Sequence, residues 1–144
     1  MILNSRRFQD SDANRCSKLI KLALKSNHLN LNPNDPIFKE YTLEKLIEKS
    51  KEINLFVFFP TEEKIMATGG FKNNGEIKTI YVHPDFQGQG YGKEVMKILE
   101  NQAREKEIKK LFLYAFPGKS SNFYEKCGYT LDTSLAETYI FKNI

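Results

Sequence analysis

The segment that most restricts the architecture is residues 77–106. An apolar, β-prone run at Ile77–Val82 stops at His83-Pro84 and enters Gln87-Gly88-Gln89-Gly90-Tyr91-Gly92. A helix is expected from about Gly90 to Lys106, with Val95, Met96, Leu99 and Ala103 on one face at helical spacing. Glycines let a backbone approach a ligand closely and take positive φ without a Cβ clash. The unpaired N–H groups of a helix start, and the helix dipole, favour an anion there. Strand, glycine loop and helix together read as a cradle for a diphosphate.

Spacing separates this cradle from two common ones. The G-x-G-x-x-G dinucleotide fingerprint needs a third Gly where Lys93 stands. A P-loop needs four residues between its glycines, then Lys and Ser or Thr. Here Gly88 and Gly92 enclose three residues, and Glu94 follows Lys93. Both alternatives also belong to parallel βαβ units, whereas this loop follows strands that read as an antiparallel meander. Those strands are expected over 53–59, 64–71 and Ile77–Val82, the last two joined by the turn Asn73-Asn74-Gly75.

The rest of the chain falls into short elements. Residues 2–8 can form an edge strand. Gln9-Asp10-Ser11-Asp12 offers caps for a helix whose apolar face is Ala13, Cys16, Leu19, Ile20, Ala23 and Leu24. Residues 27–36 hold five Asn or Asp and two Pro and read as a loop. Thr42 can cap a second helix through Leu43, Leu46 and Ile47. After the long helix come a strand over 111–116, a turn at Pro117-Gly118 and a short helix. Ser120 or Ser121 is expected to cap that helix and Cys127-Gly128 to end it. Final strands are expected near 129–131 and 137–141.

Formal net charge is +4, with Lys scattered among Glu along the chain, so no nucleic-acid partner is expected. No apolar run approaches the roughly 20 residues needed to span a bilayer. The opening residues are unlike a signal peptide, so the expectation is a cytoplasmic protein without membrane association. Cys16 and Cys127 lack metal-ligand spacing and read as small buried apolar groups, so no metal is expected.

The loop resembles the signature of the GNAT N-acetyltransferase superfamily: Gln or Arg, two residues, Gly, one residue, Gly or Ala. Gln87, Gly90 and Gly92 fill it. Asn122-Phe123-Tyr124-Glu125-Lys126-Cys127-Gly128-Tyr129 is similar to a second family segment, aromatic-Tyr-Glu-Lys-x-Gly-aromatic. The resemblance covers nearly the whole chain. It implies one α/β (α+β) domain over residues 1–144, with a mixed, mostly antiparallel central sheet of about six to seven strands. That sheet would be splayed in the middle and flanked by about four helices.

The resemblance also implies acetyl-CoA as co-substrate and direct acetyl transfer to a primary amine of a small molecule or protein. The main chain of Ile80, Tyr81 and Val82 would pair with pantetheine. Gln87, Gly88, Gln89, Gly90, Tyr91, Gly92 and Lys93 would bind the diphosphate. Tyr124 would be the general acid near the sulfur. Many relatives carry Asn and Ala where this sequence has Pro117 and Ser120. A neutral amine requires a base or a lowered amine pKa. Glu76, His83 and a water held by Tyr81 stay open as candidates. The alternative is a non-catalytic acyl-CoA-binding regulatory domain. The acceptor is unreadable, and a monomer and a homodimer are both open, the late strands being able to pair between subunits.

Overall fold

The computed structural model describes residues 3–27, 32, 34–61, 64–115 and 119–144. The sequence readings at Ile2, Glu62-Glu63, Phe116, Pro117-Gly118 and half of the 27–36 loop (28–31 and 33) therefore lie outside the described residues. Strands β1 (Asn4–Arg7), β2 (Asn54–Phe59), β3 (Ala67–Phe71) and β4 (Ile77–Val82) form one antiparallel sheet in chain order. Strands β5 (Lys110–Ala115), β6 (Thr130–Asp132) and β7 (Thr138–Asn143) form a second, ordered β5-β7-β6. Helices α1 (Ala13–Asn27), α2 (Leu43–Glu52), α3 (Tyr91–Glu105) and α4 (Lys119–Lys126) flank them. The expected mixed α/β fold with seven splayed strands is what the chain adopts.

The sheets meet at one point. A parallel bridge pairs Glu76 with Phe112, whose amide donates to the Gly75 carbonyl at 3.0 Å. Gly75 has φ +97°, and a Cβ there would lie 2.1 Å from the Lys110 carbonyl oxygen. Only glycine fits at this vertex. Beyond it β4 has no second strand partner among the described residues, and a gap opens between β4 and β5.

The near-continuous apolar run of β2 follows from burial on both faces. Phe56 and Phe58 enter a core shared with Val95, Met96 and Leu99 of α3, Leu111 of β5 and Ile140 of β7. Val57 and Phe59 enter a second core with Cys16, Leu19, Ile20 and Leu24 of α1 and Leu46 of α2. Every apolar position assigned to the inner faces of α1 and α3 is buried. Arg6 ties β1 to the start of α1 through a two-pronged bond to the buried Asp12 carboxylate, at 2.7 and 2.9 Å. Desolvation would raise the Asp12 pKa, but Arg6 and the Gln9 amide outweigh it and hold the carboxyl below its usual range.

One expectation needs correcting. Helix α4 begins at Lys119, so Ser120 and Ser121 lie inside it and neither caps it. The Ser121 hydroxyl is buried and has no hydrogen-bond partner among the described residues.

A polar knot holds the second sheet to the helices. Buried Glu100 of α3 accepts from Lys142 Nζ of β7 at 2.9 Å and from the Tyr129 hydroxyl at 3.1 Å. Lys142 Nζ also donates to the Cys127 carbonyl at 3.1 Å. Removing one member of a buried pair strands the other charge. Lys142→Met should therefore destabilise the fold by about 2–3 kcal/mol, read from urea unfolding, and a loss below about 1 kcal/mol would refute the coupling.

Candidate active site in the gap between the sheets

β4 is irregular where the gap begins. Its register against β3 shifts between Thr68 and Gly70. Opposite that shift Thr79 has φ +61°, a strained value for a β-branched residue. The Thr68 hydroxyl donates to the Thr79 carbonyl at 2.8 Å and fixes the bulge. Such a bulge re-aims the strand that follows. Here it sends Ile80 and Val82 toward the α3 core and Tyr81 toward the α1 core.

The loop after β4 is braced from within. His83 Nδ1 accepts the Asp85 amide at 3.1 Å, Gln87 Nε2 donates to the Val82 carbonyl at 2.9 Å, and Gln89 Nε2 donates to the Asp85 carbonyl at 2.9 Å. Both glutamine amides therefore point their donors back into the loop. Gly88 and Gly90 have φ +74° and +86°. A Cβ on Gly88 would meet nothing within 4 Å. Gly90 is the N-cap of α3 and supplies no side-chain cap. Gln87–Gly90 forms a hydrogen-bonded turn, but no amide from Gly88 to Lys93 makes a close, well-aligned hydrogen bond to a described residue, and the stretch lies at the surface beside the gap. Lys93, exposed in the first turn, forms no ion pair with a described residue. This set of N–H groups, the helix dipole and one free cation suits an anion with several oxygens.

Gly92 does something further. A Cβ on it would fall 2.8 Å from Phe123 Cε1, so its lack of a side chain brings the start of α3 against α4. That contact places the loop close to Tyr124. The Tyr124 ring packs on Phe123 and Tyr129, with centroids 5.0 and 5.6 Å away. The residue is 6% exposed, and its hydroxyl bonds to no described residue. Burial, with a smaller contribution from Cys127, raises its pKa and keeps the phenol protonated.

Tyr81 faces the other wall. Its hydroxyl and that of Tyr41, just before α2, lie 2.7 Å apart, and their rings meet edge to face at 5.3 Å. Burial and then Tyr41 raise the Tyr81 pKa, and Tyr124 is near enough to contribute. Two phenols thus flank the gap from opposite sides. Sequence reading missed Tyr41, whose partner is 40 positions away and leaves no local pattern.

Two base candidates are otherwise employed. Glu76 sits at the vertex, bridged to Lys78 at 3.0 Å and Lys72 at 3.7 Å. His83 Nδ1 is occupied by the Asp85 amide. Neither cysteine is activated: burial raises the Cys16 thiol to about 12 and, with Glu100, pushes Cys127 upward.

A sequence profile of the acetyltransferase (GNAT) family matches residues 18–129, a stretch that includes the bulged strand, the loop and Tyr124. The chain belongs to this family. Among sequence relatives, an uncharacterized N-acetyltransferase of Porphyra purpurea, ycf52, is 34% identical over 80% of this chain and 55% of its own length. Its counterpart in Pyropia yezoensis is 33% identical with the same coverage. The chain thus spans about half the length of the curated relatives it matches. The GNAT architecture is matched end to end by PaiA N-acetyltransferase of Thermoplasma acidophilum, solved with coenzyme A. That structure has a TM-score of 0.86 and 19% identity, with 100% of both chains covered. No helix among the described residues is long and apolar enough to cross a membrane.

Proposed function

We propose that this GNAT chain is an acetyl-CoA-dependent N-acetyltransferase that passes the acetyl group directly to a primary amine. The observation that carries the proposal is the row of amides from Gly88 to Lys93, none of them in a well-aligned hydrogen bond to a described residue, at the mouth of the gap between β4 and β5. An anion of the size of a diphosphate fits that row. From there the edge of β4 at Ile80, Tyr81 and Val82, met only by Gln87 Nε2 at the Val82 carbonyl among the described residues, can pair with an extended amide-containing arm, as a strand would. Coenzyme A has both parts, and it is the molecule bound by the Thermoplasma acidophilum protein.

In the reaction the amine nitrogen attacks the thioester carbon, the C–S bond breaks, and the thiolate leaves with a proton to be supplied. Tyr124 is the donor in reach of that role. Phenol is the weaker acid in water by about 1.5 units, roughly 2 kcal/mol against full transfer to a free thiolate. Burial pushes Tyr124 further in the same direction. Its part is then a hydrogen bond to the developing thiolate, whose own pKa is raised by the same dry surroundings. The amine's proton leaves through water, which the Tyr41–Tyr81 hydroxyl pair would order.

A thiol-release assay with acetyl-CoA and a panel of amino acids, polyamines, aminoglycosides and peptides tests the proposal. Release above the hydrolytic background with at least one amine class is the expected result. Tight acetyl-CoA binding with no release across the panel would replace it with a sensing role.

A further inference from the structure

We infer that the outer face of the second sheet is a self-complementary surface that pairs two copies of this chain. Antiparallel register puts Lys110, Phe112 and Tyr114 of β5 on the same face as Asn143, Phe141 and Tyr139 of β7. Thr130 and Asp132 of β6 complete that face. The alternate residues, Leu111 and Ile140 among them, point into the α3 core. None of the four outer aromatics belongs to either core of the described residues. Their ring-to-ring contacts among the described residues are with one another, Tyr114–Tyr139 at 5.1 Å and Tyr139–Phe141 at 5.2 Å among them. Among the described residues four large apolar side chains are exposed. Two of them, Tyr114 at 52% and Leu135 at 66%, lie on β5 and on the turn joining β6 to β7. A layer of one exposed and three half-buried aromatic rings outside both cores marks an interaction surface.

The charges on the face select the partner. Lys110 stands at one corner, its ammonium 5.8 Å from the Phe112 ring centroid and 5.6 Å from that of Tyr139, with no carboxylate partner among the described residues. Asp132 stands at the diagonally opposite corner, exposed, and held anionic chiefly by its hydrogen bonds with Ser134. Consider a two-fold axis lying in the interface, perpendicular to the Lys110–Asp132 diagonal. It sets Lys110 of each copy against Asp132 of the other and lays the aromatics together between the two pairs. Isologous interfaces need this kind of self-match. A nucleic-acid strand, the other occupant an aromatic sheet face suggests, would need several cations along its path. This face carries one, and an acid opposes it.

Sedimentation velocity over a concentration series from about 1 to 200 µM, on the full chain, tests the pairing. The wild type should shift from monomer to dimer within that range. Lys110→Glu and Asp132→Lys should each weaken association by about tenfold or more through like-charge contact, and the double reversal should restore it to near wild type. Circular dichroism on each variant secures the comparison, since both positions are exposed and lie outside the proposed acetyl-CoA site. A chain that stays monomeric at the top concentration overturns the inference. So does a dimer indifferent to both single reversals, or a double variant as weak as the singles. A monomer that binds a labelled oligouridine, and loses it in Tyr114→Ala, would assign the face to stacked bases and overturn it as well. None of these readouts depends on acetyl transfer, so pairing and catalysis can fail separately.

Discussion

Gly90→Val should lower acetyl-CoA affinity by at least about 100-fold, or roughly 2.7 kcal/mol, measured by calorimetry on the folded variant. Gly90, the N-cap of α3, has φ +86° and ψ 0°. A left-handed backbone costs an ordinary residue about 1–3 kcal/mol, and a β-branched one sits at the unfavourable end. Valine relieves that strain by rotating the loop, which turns the amides on either side away from their common focus. A Cβ and two methyl groups would also stand in the path of the diphosphate. The stretch is exposed, so the cores are untouched and the melting temperature should fall only slightly. Gly90→Ala should fall between the two. Valine-variant binding within threefold of wild type would show that these amides hold no ligand.

Tyr124→Phe should lower kcat by about 100- to 1000-fold and leave the acetyl-CoA KM within a factor of about three, the pattern of an interaction made only in the transition state. The exchange removes one oxygen and keeps the ring contacts with Phe123 and Tyr129, so stability should hold. The sign of the pKa shift supplies a second reading. Because burial raises it, the phenol remains protonated across the alkaline range in which the enzyme can be assayed, and it contributes no falling limb to the pH profile. A wild-type profile whose alkaline limb vanishes in the Phe variant would contradict this, as would unchanged turnover.

The parts legible in the sequence were those with strong local signals. Strand β4 and helix α3 were bounded within one residue, because a β-prone run ends at His83-Pro84 and a helical period begins at the glycines. The tight turn at Gly75 followed from its Asn-Asn-Gly chemistry, although only the fold shows a Cβ colliding with Lys110 there. Thr79 was opaque: nothing local asks threonine for φ +61°, and the bulge comes from the register of β3 and β4. Gly92 was read for ligand approach, yet its missing Cβ is required by Phe123, over 30 positions away in the chain. Gln87 was matched to a signature by type and spacing, whereas its amide donor is turned inward to Val82. The serines ahead of Tyr124 misled because capping chemistry does not reveal which turn of the helix they occupy. Long-range geometry decides all of these, and it leaves no period to count.

Joining the two sheets at one residue pair also fixes how the cleft can change width. Six residues of strand extend about 20 Å, so a rotation of about 5° at Glu76 and Phe112 separates the far ends by about 2 Å. No ladder hydrogen bond need break for that; the shared packing under α3 and the Glu100–Lys142–Tyr129 contacts would resist it. The vertex thus works as the pivot of a pair of tongs, and residues well outside the ligand's reach set how far the jaws stand apart.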